Sequence, residues 1–210
     1  MGGGLYVVFF ILLILKKIPQ RAKIHLSVVT FCFPARHNKQ NHKPGTPAGM
    51  TTAQFNQCVD DHADGVYRFI LKNIRDEEKA RDIVQDSFEK VWARVEEIAY
   101  EKSRSYLFTT AYHTMIDQIR KDRFQAPMDD AAFNEHSYRS DYSGLKEILE
   151  EAVAKLPDIQ RTVVLLRDYE GYSYQEIGEI TGLNESQVKV YIYRARTFLK
   201  NYIGSMENVI

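Results

Sequence analysis

The sequence predicts an all-α protein in which a flexible linker joins two small helical modules. Apolar residues recur at helical spacing through most of Thr51–Ile203. Between them, Phe124–Gly144 contains no Ile, Leu or Val, so it cannot bury much core and is predicted to be a tether. Ser173–Lys200 has the pattern of two helices joined by a tight turn with glycine, which is typical of a helix-turn-helix.

The charge is balanced overall but unevenly distributed. The chain has 28 basic and 28 acidic residues, and residues 1–49 hold seven of the basic residues and none of the acidic ones. Met50–Ile210 therefore has 21 basic and 28 acidic residues, a formal net charge of −7. An acidic body argues against indiscriminate binding of nucleic acid, so any DNA contact must come from local basic patches or with help from a partner.

The first 49 residues differ in composition from the rest of the chain. Leu5–Leu15 is an unbroken apolar run that stops at Lys16, short of the roughly 20 apolar residues that a membrane-spanning helix needs. His37–Gly49 is polar and rich in Pro and Gly, and is predicted to be disordered. The preferred hypothesis is that Met50 is the true start and that residues 1–49 are translated upstream sequence; a membrane tether is the alternative.

The predicted domain boundaries follow these changes. They are an N-terminal extension over 1–49, a first module over 50–123, a linker over 124–144 and a second module over 145–204. The two cysteines, Cys32 and Cys58, lie in different segments and indicate neither a disulfide framework nor a metal site. A reducing cytoplasm is therefore the expected compartment.

The first module is predicted to contain three helices, over Phe55–Ile74, Glu77–Ile98 and Ser103–Arg120. The second helix has an apolar stripe that includes Val84 and Phe88, with Trp92 at its edge. Its opposite face is acidic, with Glu78, Asp82, Asp86, Glu89 and Glu96. Such a face is either a solvated surface or a docking surface for a basic partner. The third helix is predicted to expose Thr110, His113, Thr114, Asp117, Arg120 and Lys121.

The second module is predicted to contain four short helices, over Leu145–Leu156, Ile159–Asp168, Ser173–Thr181 and Glu185–Lys200. Ser173 and Glu176 have capping-box spacing, Gly182 suits a left-handed helix end, and Asn184 can cap the last helix. The buried stripe of that helix is Val188, Ile192, Ala195 and Leu199.

Two apolar side chains of the last helix, Val190 and Tyr193, face outward with Ser186 and Thr197. An ordinary amphipathic helix does not explain them, whereas a DNA-reading helix does, because apolar groups contact thymine methyls and Lys or Arg reach bases and phosphates. Its cations are Lys189, Arg194, Arg196 and Lys200.

Several short motifs occur in a fixed order along the body. They are Val84-Gln85-Asp86 with Phe88 and Trp92, Tyr106-Leu107 with Asp117 and Arg120-Lys121, Leu156-Pro157, Tyr169–Gly178, and Tyr193-Arg194-Ala195-Arg196. In this order, with a linker between the two modules, the chain resembles an extracytoplasmic-function (ECF) sigma factor of bacterial RNA polymerase. The resemblance covers about Phe55 to Ile203 and implies sigma region 2 followed by sigma region 4.

The resemblance also implies partners and site residues. Core RNA polymerase would be bound at its β′ clamp, with β also a partner, by Asp82, Gln85, Asp86, Phe88 and Trp92. Promoter DNA would be read at the −10 element by Thr110, His113, Thr114, Asp117, Arg120 and Lys121. The −35 element would be read by Ser186, Gln187, Lys189, Val190, Tyr193, Arg194, Arg196 and Lys200. An anti-sigma factor is a further partner that the family allows.

The sequence departs from the family pattern at the −10 position of His113, where Asn is frequent, and at Val190-Tyr191, where Ser-Arg is frequent. The alternative function is a stand-alone helix-turn-helix regulator, although Thr51–Arg123 has no signature of a ligand pocket or phosphate acceptor. No catalytic residue, cofactor, metal ligand set or small-molecule substrate is predicted, because the chain lacks a Gly-rich phosphate loop and Cys/His metal spacing.

Overall fold

The computed structural model describes residues 49–125 and 144–207, and the regular secondary structure within them is helical throughout. The all-α prediction is therefore confirmed for these residues. The predicted apolar run at Leu5–Leu15, residues 126–143 of the predicted linker and residues 208–210 lie outside the described residues. The described ends of the linker prediction, 124–125 and 144, belong to helices.

The first module consists of α1 (Thr52–Ile74), α2 (Glu77–Ala93), a short 3₁₀ turn (Tyr100–Lys102) and α3 (Ser103–Gln125). A capping box between Thr51 and Gln54 starts α1 three residues before the predicted Phe55. The side chain of Asp76 accepts from the backbone N–H of Lys79 and starts α2. The three helices pack side by side around Phe55, Phe88 and Phe108.

The predicted end of α2 was wrong: the helix stops at Ala93, not at Ile98, and 94–97 form a turn. The turn aims two carbonyls at the start of the described chain, so that the backbone N–H of Met50 lies 2.8 Å from Val95 O and 3.0 Å from Ile98 O. Met50 is itself buried, and a Cβ on Gly49 would lie 2.1 Å from Glu96 O. Backbone packing against this turn ended a helix that the periodicity alone would have continued.

The second module consists of α4 (Gly144–Ala154), α5 (Asp158–Val164), a π-turn (Leu165–Tyr169), α6 (Tyr174–Thr181) and α7 (Glu185–Glu207). Two predicted ends in the chain were too early, because α3 continues past Arg120 to Gln125 and α7 continues past Lys200 to Glu207. The predicted helix Ile159–Asp168 changes from α to π geometry at Leu165.

The two modules pack against each other and share one continuous hydrophobic core. Phe108 of α3 lies 5.4 Å from the ring of Tyr172, and the guanidinium of Arg104 lies 4.6 Å over that ring. On the other side of the junction, Arg161 is only 3% exposed and donates to Asn73 O at 3.0 Å, across the two modules. Thr162 donates to the Asn73 side chain at 2.9 Å. The described modules therefore form one body.

Candidate nucleic-acid interface

The helix-turn-helix forms as the sequence predicts. Ser173 accepts from the N–H of Glu176, whose carboxylate accepts from the N–H of Ser173 at 2.8 Å, completing the capping box. Gly182 ends α6 with φ +74°, in the left-handed region that favours glycine. Asn184 caps α7 and exchanges reciprocal backbone-to-side-chain bonds with Gln187, of 2.8 and 3.0 Å. Local sequence thus determines both helix ends and the turn between them.

A second glycine in this motif, Gly178, is required by packing, and no sequence pattern predicts that requirement. A Cβ on Gly178 would lie 2.7 Å from the backbone oxygen of Leu183. Only glycine lets the turn approach α6 this closely, and the turn in turn determines where α7 begins.

The faces of α7 are also as predicted. Val188, Ile192 and Ala195 are at most 2% exposed and pack into the core. Val190 and Tyr193 are 44% and 72% exposed, so neither side chain is used in the core and both are open to a ligand. We call the outward surface of Ser186, Val190, Tyr193, Arg194 and Thr197 the reading face of α7.

All eight residues predicted to contact the −35 element are exposed, but they differ in their bonds within the chain. Lys189 pairs with Glu185 at 2.6 Å, and Arg196 makes a bidentate bond to Asp168, with Nε at 3.1 Å from Oδ2. The side chain of Gln187 is used in the cap of α7. Arg194 and Lys200 form no ion pair within residues 49–125 and 144–207, so their charges are available to a ligand.

The predicted −10 surface lies on α3 and is only partly exposed. His113, Asp117, Arg120 and Lys121 are exposed, and Asp117 lies 3.7 Å from Arg120. The outward placement of Thr114 was wrong, since this residue is 7% exposed.

Thr114 faces α2 rather than solvent. Its hydroxyl donates to Thr110 O at 2.8 Å and accepts from Lys90 Nζ at 2.8 Å. Thr110 itself is half-buried, with its hydroxyl bonded to Tyr106 O. The two threonines therefore border the exposed surface, and Thr114 helps to seat α3 on α2.

The predicted polymerase-binding residues on α2 also separate into two groups. Asp82, Gln85 and Asp86 are exposed, and with Glu89 they form what we call the acidic face of α2. Burial, followed by the charges of Glu78 and Asp86, raises the pKa of Asp82 above its usual range. Within the described residues, none of these carboxylates lies within ion-pair distance of Lys or Arg.

The aromatic pair at this surface differs from the prediction in one member. Trp92 is 42% exposed, and its ring lies 4.9 Å from that of Phe55. Phe88 is 1% exposed and packs edge-on against Phe55, so its assignment to a contact surface was wrong. Phe88 is spaced with Val84 and Val91 along the apolar stripe of α2, and its side chain is buried in the core with theirs. Phe88 packs against Phe55, the residue whose ring contacts Trp92.

Other kinds of site are missing from the part of the chain that the structure describes. It contains no group of His, Cys, Asp and Glu side chains placed to hold a metal ion. Cys58 is buried, and burial raises the pKa of its thiol, as expected for an unreactive core residue. None of the described helices is both long and apolar enough to cross a bilayer.

Comparison with known proteins identifies two family regions in the chain. Residues 58–125 match the family model for Sigma-70 region 2, and residues 146–199 match that for Sigma-70, region 4. The RNA polymerase sigma factor SigV of Bacillus subtilis is 32% identical over 151 residues, which cover 71% of this chain and 91% of SigV. The ECF RNA polymerase sigma factor SigM of the same organism is 26% identical over 144 residues, covering 66% of this chain and 88% of SigM.

The fold is also shared with a solved structure, the sigma factor RpoE from Bartonella quintana in complex with the anti-sigma factor NepR. The TM-score is 0.55 at 24% identity, over 66% of this chain and 89% of that one. The matches to Sigma-70 region 2 and region 4, in this order along one chain, define a transcription initiation factor of the sigma-70 class. The chain belongs to its extracytoplasmic-function (ECF) sigma factors, and its function is that of an alternative sigma factor, which directs RNA polymerase to promoters.

Proposed function

We propose that this sigma factor divides its work among three surfaces: the acidic face of α2 docks on the β′ clamp of core polymerase, α3 reads the −10 element, and α7 reads the −35 element. The observation that carries the proposal is the reading face of α7. There, exposed Val190 and Tyr193 lie beside Arg194, whose charge no described residue pairs. This combination suits the major groove, where thymine methyls accept apolar contact and guanine accepts Arg.

On α3 the proposed readers are His113, Asp117, Arg120 and Lys121, with Thr110 at the border. The −10 element must be read as unstacked bases, and opening each base step costs a few kcal/mol that contacts have to offset. The ring of Tyr112 lies 5.4 Å from that of His113 and supports it from the buried side. Thr114 and Phe88 are proposed to act from the buried side of their surfaces, Thr114 by holding α3 on α2 and Phe88 by packing against Phe55, which contacts Trp92.

The two DNA-reading surfaces have to move apart to work together. At about 3.4 Å per base pair, elements centred near −10 and −35 lie roughly 85 Å apart. A compact body of this size has a radius of gyration of only about 14 Å. We therefore infer that the junction around Tyr172 and Arg161 opens when the factor engages polymerase and promoter, with the linker bridging the gap.

The remaining assignments complete the proposal. The modules are 50–123 and 145–204. The buried side chain of Met50 and its backbone bonds to the carbonyls of Val95 and Ile98 support including Met50 in the first module. The factor acts in the cytoplasm, without a cofactor and without enzymatic activity of its own. An anti-sigma factor is proposed as a regulator, since RpoE of similar fold was solved with one bound.

The experiment that tests the proposal is transcription in vitro with purified core polymerase and a library of promoters, followed by mapping of the start sites. We expect selected promoters to share both a −10 and a −35 sequence, and we expect core polymerase to retain the factor without DNA. Binding to DNA alone, with no retention on core polymerase, would contradict the proposal and favour a stand-alone regulator.

A further inference from the structure

Arg194 and Arg196 are alike in sequence but not in position. Two residues along an α-helix are about 200° apart around its axis, so both cannot face the same groove of DNA. Arg194 belongs to the reading face with Val190 and Tyr193. Arg196 lies on the flank next to the buried stripe, beside Ala195, which is fully buried.

The guanidinium of Arg196 is bound back onto its own module. Its Nε donates to Asp168 Oδ2 at 3.1 Å, and its Nη2 donates to Oδ1 of the same carboxylate. This fork-to-fork geometry fixes direction as well as distance, which a Lys–carboxylate pair does not do. The pair occupies one bidentate edge of the guanidinium and holds the side chain in an orientation set by Asp168.

Asp168 reaches Arg196 because of the π-turn. The N–H of Glu170 bonds to Leu165 O at 3.2 Å, and that of Tyr172 to Leu166 O at 3.0 Å, so the chain is wound more widely here than in an α-helix. The wider turn directs three consecutive side chains, Arg167, Asp168 and Tyr169, to three different elements.

Each of these side chains has an identifiable contact. Arg167 donates to Tyr172 O at 2.8 Å and lies 4.7 Å over the ring of Tyr174, at the start of α6. Tyr169 lies under Lys72 of α1, with Nζ 5.2 Å from the ring. Asp168 contacts the third element, α7, through its bidentate bond to Arg196.

We propose that Asp168 and Arg196 act as a positioning pair that sets the rotation of α7 on its module, and that Arg196 does not contact DNA. The inference rests on α7 being the −35 reader. The apolar stripe of α7 makes non-directional contacts with its module, and the pair on its flank adds a directional bond that resists rotation of the helix. A reading face displaced by 1 Å loses its bonds to base edges, so the pair controls promoter choice without touching a base.

The decisive variant is Asp168→Asn, because the two roles of Arg196 predict opposite signs. If Arg196 were a DNA contact, removing the carboxylate would free a cation and remove a repulsive charge, and promoter affinity would rise. If Arg196 is a positioning residue, the reading face loosens and the preference for the native over a scrambled −35 element falls by roughly fivefold.

The measurement is the affinity of reconstituted holoenzyme for promoters with a native or a scrambled −35 element and the same −10 element, across a range of salt. Arg194→Ala is the matched control on the reading face. We expect it to lower the salt slope of log K by about 1 if it contacts a phosphate, or to lose −35 preference if it contacts a base. Asp168→Asn and Arg196→Asp should leave the −10 dependence and the retention on core polymerase unchanged.

The exchange Asp168→Arg with Arg196→Asp should restore −35 preference that Arg196→Asp alone removes, because the pair is rebuilt with its charges reversed. If the exchanged protein does not fold, as judged by circular dichroism, Asp168→Asn alone decides. Unchanged or increased affinity in Asp168→Asn would overturn the inference. Absence of any −35 preference in the wild-type holoenzyme would overturn the −35 role of α7, and the inference with it.

Discussion

The charged surfaces of α2 and α7 differ in how far the protein neutralises them. On α7, Lys189 is paired with Glu185 at 2.6 Å and Arg196 is bound by Asp168. On the acidic face of α2, burial and then the charges of Glu78 and Asp86 raise the pKa of Asp82, and Arg81 offsets only part of this. The cations of α7 are partly paired within the fold, whereas the carboxylates on the acidic face of α2 form no ion pair within the described residues.

The difference indicates two ways of binding. An uncompensated surface gains from any partner of opposite charge, which favours fast encounter and a fixed register. A surface with half of its cations occupied gives up general attraction to DNA, and its preference depends on a few free groups. Such a division suits a factor that polymerase brings to DNA and that has only to choose among sites.

The largest effect is expected from reversing charge on α2. Asp82→Lys with Asp86→Lys replaces complementarity by repulsion and should lower the affinity for core polymerase by roughly a hundredfold, with the loss greatest at low salt. Fluorescence titration of labelled factor with core polymerase measures it.

The control for this variant is Glu101→Lys with Glu147→Lys, which makes the same change in net charge at exposed positions off α2. Equal losses in the two proteins would mean that overall charge, and not the acidic face, governs docking. A circular dichroism spectrum like that of the wild type is required of both.

A smaller effect is expected on α7, where the comparison predicts that the unpaired cation matters more than the paired one. Arg194→Ala should weaken binding of holoenzyme to a −35-dependent promoter by about 1–3 kcal/mol if a base contact is lost. Lys189→Ala, which removes a cation already paired with Glu185 and placed 5.7 Å over Tyr174, should cost less. The reverse order, measured by titration of promoter DNA, would show that the internal pair on Lys189 breaks on binding.

The sequence was sufficient wherever the determining contacts are local. The capping box at Ser173, the left-handed end at Gly182 and the outward position of Val190 and Tyr193 all follow from residues within a few positions of each other. The acidic face of α2 followed from helical periodicity in the same way. Helical periodicity predicts the direction in which a side chain points, but it does not predict which residues of other helices lie against that side chain.

The misplacements came from contacts that are distant in sequence. Thr114 was predicted to face solvent, but α2 approaches and its Lys90 bonds to it. The end of α2 depends on Met50, more than forty residues earlier. No sequence pattern predicts that Arg161 is buried at the junction between the modules or that Asp168 bonds to Arg196, because both contacts depend on how the helices pack. Helix boundaries and paired charges are thus the features that sequence patterns determine least.

The smallest expected effect is on the free energy of unfolding. It distinguishes the contribution of the acidic face of α2 to stability from its contribution to polymerase docking. Because the pKa of Asp82 is raised in the folded protein, folding favours its protonated form, and stability falls as the pH rises through the interval above the usual carboxyl pKa. At neutral pH the charged carboxylate is therefore a net cost to the fold. Asp82→Asn should raise the free energy of unfolding slightly, because solvent screens an exposed carboxylate, while it weakens binding to core polymerase.

The advantage of Asp82→Asn should vanish at a pH below the usual carboxyl range, where Asp82 is protonated in the wild type as well. Urea unfolding at both pH values, with polymerase titration at neutral pH, measures the two effects together. Gln85→Glu is the mirror variant, since it adds a carboxylate to the same face and should lower stability and strengthen docking. A face whose only role is solvation would show no such opposition: both variants would change stability alone and leave polymerase binding where it was.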